Sequence, residues 1–451
     1  MSIRVYRRYV AAERYVVTTT VLDPAAGAGE TTGAPVCTPA ICRVGLLGFG
    51  NIGSAVARLS RDAAPELAAR GLAPVVVTSL VRTASRVRPH AALAGTVTDS
   101  PDRFFAEPVD VIVEALGGVE PAFTLVRRAL DRGIPVVTAN KSLVAAHGDD
   151  LARLAQRRGT ALRYEAACIA GVPFLGTFER RALASGASAV TAILNGTSNY
   201  ILSSMTRGGS FAAALADAQR LGYAEPDPTM DVSGADAAEK LAILVRLFGR
   251  LLVNPAAIAC DSLAGVEPDD VAAAAAFGGA IRPVSRAAWT GTAIRAHVGP
   301  AFLSASHPLG RVSGVTNGVV IDGDRGAQCY IGPGAGPDVT AATLLDDVSE
   351  VMAEGRAWTR VSAAVRAASS IARPDSDWFI RLAGGTRPSD LADLLGSYGI
   401  WCARLERRDG RVYALTCQAT PARLRAALDA VQAATGAAAA AFPALDGESV
   451  S

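Results

Sequence analysis

Residues 42–62 read CRVGLLGFGNIGSAVARLSRD, and the succession of apolar run, glycine turn and amphipathic helix decides the fold. Residues 44–47 form the end of a buried strand. Gly48, Gly50 and Gly53 then fall on GxGxxG directly after it, and AVARL continues as a helix. GxGxxG alone is a weak signal. Between a strand and a helix it gains weight, because glycines allow the tight turn there. They also let backbone N–H groups across Gly48, Phe49, Gly50, Asn51, Ile52 and Gly53 approach a pyrophosphate.

Outward from this turn, APVVVTSLV (73–81) is the expected second strand. A dinucleotide fold that prefers NAD places Asp or Glu at that strand's end, to grip the ribose 2′-hydroxyl. Arg82 stands there instead, followed by Arg86 and Arg88. A guanidinium suits a 2′-phosphate, which favours NADP, with NAD as the alternative. The same arginines also read as ordinary surface charge. DVIVEALGG (110–118), IPVVTANK (134–141) and LRYEAACIAGVP (162–173) supply further strands, alternating with helices such as PAFTLVRRALDRG. The pattern predicts an α/β, Rossmann-like, doubly wound parallel sheet over 41–172. Thr138, Asn140 and Lys141 sit at the carboxyl end of the fourth strand, the edge where such sheets bind ligands.

Beyond residue 173 the alternation loosens, and 173–312 reads as an α+β unit. IGPGAGPDVTAATLLDDV (331–348), with Gly336, is a loop entering a helix that returns to the nucleotide, so about 313–355 completes the first unit. Residues 375–446 follow the order βαββαβ, which is ferredoxin-like. Residues 1–40 combine an Arg-rich start with a Gly, Pro and Thr-rich linker and lack a secretory signal, so they read as a flexible extension.

Composition narrows the function. The 451 residues carry 44 Lys and Arg against 42 Asp and Glu, a formal charge of +2, which leaves no electrostatic footprint for nucleic acid. No apolar run approaches the ~20 residues of a membrane span. Seven scattered cysteines without a CxxC pair point to reduced thiols in the cytoplasm.

One stretch stands out chemically. AEPDPTMDVSGADAAEK (224–240) crowds Glu225, Asp227, Asp231, Asp236 and Glu239 ahead of a lysine, in a chain whose cations are mostly arginines. A helix beginning near Ser233 or Gly234 puts Asp236 and Lys240 four apart on one face. Taken alone this is a surface ion pair of about 0.2–0.5 kcal/mol. Lys240 also opens the apolar run LAILVRLF, however, so its end of the helix is expected to be partly buried.

GFGNIG, EALGGVEPA, VVTANKSL, YEAACIAGVP, LNGTSNYIL, GYAEPDPTMDVSGADAAEK and GPGAGPDVTA occur in this order, and over residues 42–350 the chain resembles the homoserine dehydrogenases. That family interconverts L-homoserine and L-aspartate 4-semialdehyde with a nicotinamide cofactor, in threonine and methionine biosynthesis. The resemblance implies that Lys240 is the proton donor and that Lys141 lies beside the reacting carbonyl. It also implies that Glu225 binds the substrate ammonium and Asp236 orients the substrate, with Asp231 among the substrate-binding carboxylates. It implies a monovalent cation, Na+ or K+, at Glu165, Cys168, Ala170 and Val172, and a homodimer or homotetramer formed through the substrate unit. The tail resembles an ACT regulatory module, although GGTRPSDLADLL, with Thr386 and Ser389, departs from the pattern expected at its first turn. Two rival readings remain: an oxidoreductase recruited to another semialdehyde or amino alcohol, and a non-catalytic NADP-binding paralogue.

Overall fold

The computed structural model describes residues 39–180, 186–354, 365–383 and 387–446. The N-terminal extension up to residue 38 and Thr386 lie outside them. Among the described residues, no helix is long and apolar enough to cross a membrane.

Two large sheets organise the chain. The first contains β1 (Ala40–Leu47), β2 (Leu72–Leu80), β3 (Thr96–Thr98), β4 (Val111–Glu114), β5 (Val136–Thr138) and β6 (Leu162–Arg163). Their order is β3-β2-β1-β4-β5-β6 and every pairing is parallel, the doubly wound arrangement that the glycine turn predicts. Strands covered on both faces must be apolar on both. Ile112 accordingly packs with α2 (Ala122–Asp131) and α3 (Lys141–Arg157), whereas Val111 and Val113 pack with α1 (Asn51–Asp62). β3 was not expected, since three residues are too short for a hydrophobic pattern to register. The segment 162–173 is a strand for only two residues. The amides of Ala170 and Gly171 then leave the sheet to bond the carbonyls of Gly334 (3.1 Å) and Pro333 (3.0 Å).

The second sheet has 11 strands. It uses β7 (Ala187–Ile193), β8 (Gly279–Thr290), β9 (Ala293–Ser304), β10 (Thr316–Gly323) and β11 (Gln328–Pro333), then β12 (Asp377–Leu382), β13 (Cys402–Arg408), β14 (Arg411–Thr416) and β15 (Ala439–Leu445). The path runs β11-β10-β7-β8-β9-β15-β12-β14-β13, and the short strands Ala259–Cys260 and Ser370–Ala372 also pair with β9. Two helices matter most on this side. α4 (Gly196–Met205) follows β7, and α5 (Ala235–Leu244) buries Ala237, Ala238, Leu241 and Leu244 against the sheet. After α6 (Pro268–Ala276) the chain forms the β8–β9 hairpin. It later enters α7 (Pro337–Glu354), whose Ala341, Leu344, Leu345 and Val348 return to the core around β1.

The last four strands, with α8 (Pro388–Ser397) and α9 (Pro421–Thr435), have the βαββαβ order and ferredoxin-like adjacency. Their sheet is continuous with the preceding one, because β15 pairs in parallel with β9 at Phe302↔Ala444 and Leu303↔Leu445. The core is shared as well. Phe379 of β12 stacks on Phe302 (5.2 Å) and Tyr413 (5.8 Å) and meets Phe277 edge-on (5.4 Å). Beside these rings, Asp270 of α6 is fully buried and Arg381 of β12 reaches it at 2.8 Å. Burial pushes the Asp270 carboxyl up to about 6, with Arg381 pulling the other way.

Removing the cation from a buried pair leaves a charge without compensation. Arg381→Ala should therefore lower stability by about 3–5 kcal/mol in urea titrations. The loss should be smaller near pH 5 than near pH 8, since a protonated Asp270 needs no counter-charge.

Candidate active site

The carboxyl ends of adjacent strands form one rim. Arg82 follows β2, the 48–53 turn follows β1, Glu114 ends β4, Thr138 ends β5, and Asn140 and Lys141 follow it. The turn fits a dinucleotide. A Cβ on Gly53 would stand 2.1 Å from the Gly48 carbonyl oxygen, and one on Gly48 (φ +102°) 2.7 Å from that of Ala115, whereas Gly50 faces open space. No side chain caps the start of α1, so its first N–H groups remain available to an anion. Phe49 is buried beneath the turn, Ile52 is half-buried and Asn51 is exposed. Arg58 of α1 pairs with Asp338, next to Gly336 at the start of α7.

Arg82 is exposed and makes no hydrogen bond or ion pair with any described residue. Arg88 is spent on its own loop, donating to the carbonyls of Thr83, Ala84 and Arg86.

Glu114 sets the middle of the rim. It is fully buried, and its carboxylate accepts from Thr138 Oγ1, from Asn140 Nδ2 (3.3 Å) and from the Leu116 amide (2.8 Å). Burial raises its pKa against these bonds. Asn140 Nδ2 also donates to the Gly118 carbonyl at 2.6 Å, while its Oδ1 caps α3 by accepting from the Leu143 amide at 3.1 Å. The polar side chains of Thr138 and Asn140 are thus committed to shaping the rim.

Across the cleft, Gly234 (φ +85°) turns the chain into α5, and Asp236 and Lys240 come to lie one turn apart. Lys240 Nζ donates to Asp236 Oδ2 and to the Leu194 carbonyl, each at 2.9 Å. Lys141 Nζ, from the other sheet, lies 3.1 Å from Asp236 Oδ1. One carboxylate therefore holds two ammonium groups, one on each oxygen. Asn195, the N-cap of α4, uses both amide hydrogens here, donating to Asp236 Oδ2 (2.8 Å) and Asp231 Oδ1 (2.7 Å). Glu239 lies 4.0 Å from Lys141 and accepts from Ser142 Oγ at 3.0 Å.

The electrostatics follow from burial and charge. Burial would raise the Asp236 carboxyl, but Lys240, Lys141 and Asn195 hold it down at about 2. Burial would depress the Lys240 ammonium, but Asp236 outweighs it and the pKa lies above the ordinary value. Burial raises Asp231. Two of the three Lys240 N–H groups are anchored, and the third bonds no described residue. The arrangement offers fixed positive charge and a proton donor to a carbonyl becoming an alkoxide.

Sequence reasoning missed Glu114, Asn195 and Glu239 as parts of this site. The strongest available signal was residue usage. The chain contains two lysines, Lys141 and Lys240, and both meet on Asp236.

Not every expected residue joins the cluster. Glu225 is exposed, with its carbonyl accepting from Gln219 Nε2 and its carboxylate bonding no described residue. Asp227 accepts from the Thr229 amide and hydroxyl and shapes its loop. Glu165 spends both carboxylate oxygens on the amides of Phe174, Leu175 and Gly176. The carbonyls of Ala170 and Val172 accept from Thr343 Oγ1 and the Phe174 amide, which leaves each a second lone pair. Cys168 is a packed thiol that burial pushes up to about 12.

Asp236 ionises far more readily in this site than in an unfolded chain, where its pKa is 3.8. Its ion pairs stabilise the fold fully above about pH 4, and that contribution is lost as pH falls toward about 2. Urea titrations at decreasing pH should show a steeper loss of stability in this window for the native chain than for Asp236→Asn.

Comparison with known proteins places the chain in a family. Residues 48–165 match the family model described as homoserine dehydrogenase, NAD binding domain, and 173–349 match that described as homoserine dehydrogenase. The homoserine dehydrogenase of Mycobacterium bovis is 38% identical over 315 residues, covering 68% of this chain and 71% of that one. That of Corynebacterium glutamicum is 36% identical over 334 residues, covering 72% and 73%. The crystal structure of a homoserine dehydrogenase from Thiobacillus denitrificans superimposes with a TM-score of 0.79 at 30% identity, covering 91% of this chain and 99% of that one. The chain belongs to the homoserine dehydrogenase family.

Proposed function

We propose that this homoserine dehydrogenase prefers NADP, and that Lys240 and Lys141 carry the chemistry of L-homoserine and L-aspartate 4-semialdehyde interconversion. The observation that carries the reading is the placement of the chain's two lysines on one buried carboxylate at the mouth of the dinucleotide fold. Bound NADPH supplies the hydride, or NADP accepts it. The protein does the rest. Lys240 gives its free proton to the aldehyde oxygen, or receives it in the reverse direction. Lys141 places a second positive charge beside that oxygen. Asp236 fixes both ammonium groups, and Asn195 fixes Asp236. Glu225 and Asp231 take the substrate's ammonium end. Glu114 holds Thr138 and Asn140 so that the rim keeps its shape around the nicotinamide.

Arg82 is assigned to the 2′-phosphate because it is exposed and pairs with no described residue just beyond the end of β2, whereas Arg88 is already spent. The units 41–172 with 313–355, 173–312 and 375–446 are assigned to cofactor, to substrate and subunit contact, and to regulation. The return of α7 to the β1 core supports the first assignment. The same reading includes a monovalent cation at Glu165, Cys168, Ala170 and Val172. Carbonyls with a spare lone pair and a carboxylate already spent suit Na+ or K+ better than a divalent ion. It also includes a homodimeric or homotetrameric state in the cytoplasm.

Purified chain should reduce NADP with L-homoserine, seen as absorbance of the reduced nicotinamide. No reduction, with NADPH still bound, would overturn the substrate assignment. Lys240→Ala should lower turnover by about 10²–10⁴-fold, the usual worth of a general acid, with NADPH affinity retained. Lys240→Arg should not restore it, since a guanidinium keeps its proton. Arg82→Ala should raise the KM for NADP by roughly 10–100-fold, the worth of a charged hydrogen bond, and leave that for NAD nearly unchanged.

A further inference from the structure

An aldehyde can meet a buried lysine in two ways. An ammonium offers it only N–H groups. A neutral amine offers a lone pair, which adds to the carbonyl carbon and, with loss of water, gives an imine: R–CHO + H₂N–R′ → R–CH=N–R′ + H₂O. Burial favours the neutral amine, and two lysines close together favour it further. An active site that brings an aldehyde to two half-buried or buried lysines therefore has to suppress this condensation, because the imine would consume the proton donor.

The geometry points to Asp236 as the group that does so. We infer that Asp236, by giving one oxygen to each lysine, holds the Lys240 amine as an ammonium and prevents capture of the aldehyde as an imine. This rests on the semialdehyde reading of the site and adds a task to it: choosing reduction over condensation. The supporting partners are unequal. Lys141 keeps Glu239 as a second carboxylate at 4.0 Å. For Lys240, the other groups facing it are the Leu194 carbonyl, the buried Cys168 thiol and Asp231, which is linked through Asn195. Without the Asp236 charge, Lys240 is the amine that becomes nucleophilic.

The sequence makes the test unusually clean, since the chain's primary amines are the two lysines and the N-terminal α-amine. Full-length protein without nicotinamide would be incubated near pH 8, an ordinary pH for amine labelling, with L-aspartate 4-semialdehyde and sodium cyanoborohydride. The cyanoborohydride hydride reduces any imine to a stable secondary amine, which peptide mass mapping locates. A parallel arm uses acetaldehyde, which reports amine reactivity whatever the true substrate is. Asp236→Asn should label Lys240 at least about tenfold faster than the native chain, as expected for an amine released from its counter-charge, with Lys141 labelled more slowly. Asp236→Glu should behave like the native chain.

Equal labelling of Lys240 in the native chain and Asp236→Asn, with NADPH binding retained in both, would overturn the inference. If acetaldehyde labels Lys240 of Asp236→Asn and the semialdehyde does not, the substrate reading fails and the role of Asp236 stands. Should Asp236→Asn not fold, the native chain decides. Its Lys240 must lag behind the α-amine from about pH 7 to 9, and parity between them overturns the inference.

Discussion

Two ammonium groups from different sheets meeting on one carboxylate is the constraint around which the rest of this molecule is arranged. Asp236 and Lys240 ride on a helix packed against the second sheet, and Lys141 starts a helix packed against the first. Buried charges are tolerated only when each is paired and hydrogen-bonded, so the contact demands that both halves of the chain be held in register. Several features serve this. Asn195 straps the Asp236 and Asp231 carboxylates together, and Ser142 meets Glu239 across the same gap. Farther from the cleft, Arg246 lies 5.3 Å over the Tyr164 ring and pairs with Asp149 at 3.5 Å.

The rim on the dinucleotide side follows a similar logic with opposite sign. Among the described residues, Glu114 has no cationic partner. Its charge is compensated by N–H and O–H donors from the rim itself, and it thereby fixes the side chains that line the edge. The Asp236 side concentrates paired charge, whereas the Glu114 side concentrates neutral hydrogen-bond donors. Lys240, Asp236, Asp231 and Glu239 face Lys141 across the cleft, while glycines, Asn140 and Thr138 shape the rim around Glu114.

Much of this was legible in the sequence. The glycine turn between strand and helix, the apolar strands and the i, i+4 spacing of Asp236 and Lys240 each carry a local physical signature, and each appears as read. What escaped reading is non-local or very short. β3 spans three residues. β8 was missed because a buried arginine, Arg282, disguises an inward-facing strand. Asn195 looks like a helix cap, and its hold on two carboxylates from 36 and 41 residues away exists only after folding. Glu239 looked like one more acidic residue until Lys141 and Ser142 came alongside it.

The continuity of the second sheet determines what kind of device the C-terminal strands can be. A module on a free tether could report on a ligand by swinging toward or away from the cleft. Here β15 is hydrogen-bonded to β9, and Phe379 sits in a stack with residues from both sides of the junction, so no hinge lies between them. The tail strands and β7, β8 and β9 belong to one sheet, so a distortion of one set is felt by the other. Cutting the chain near residue 375 would strip Phe379 from Phe277 and Phe302 and leave the Phe302–Leu303 end of β9 without its β15 partner, an exposed apolar edge.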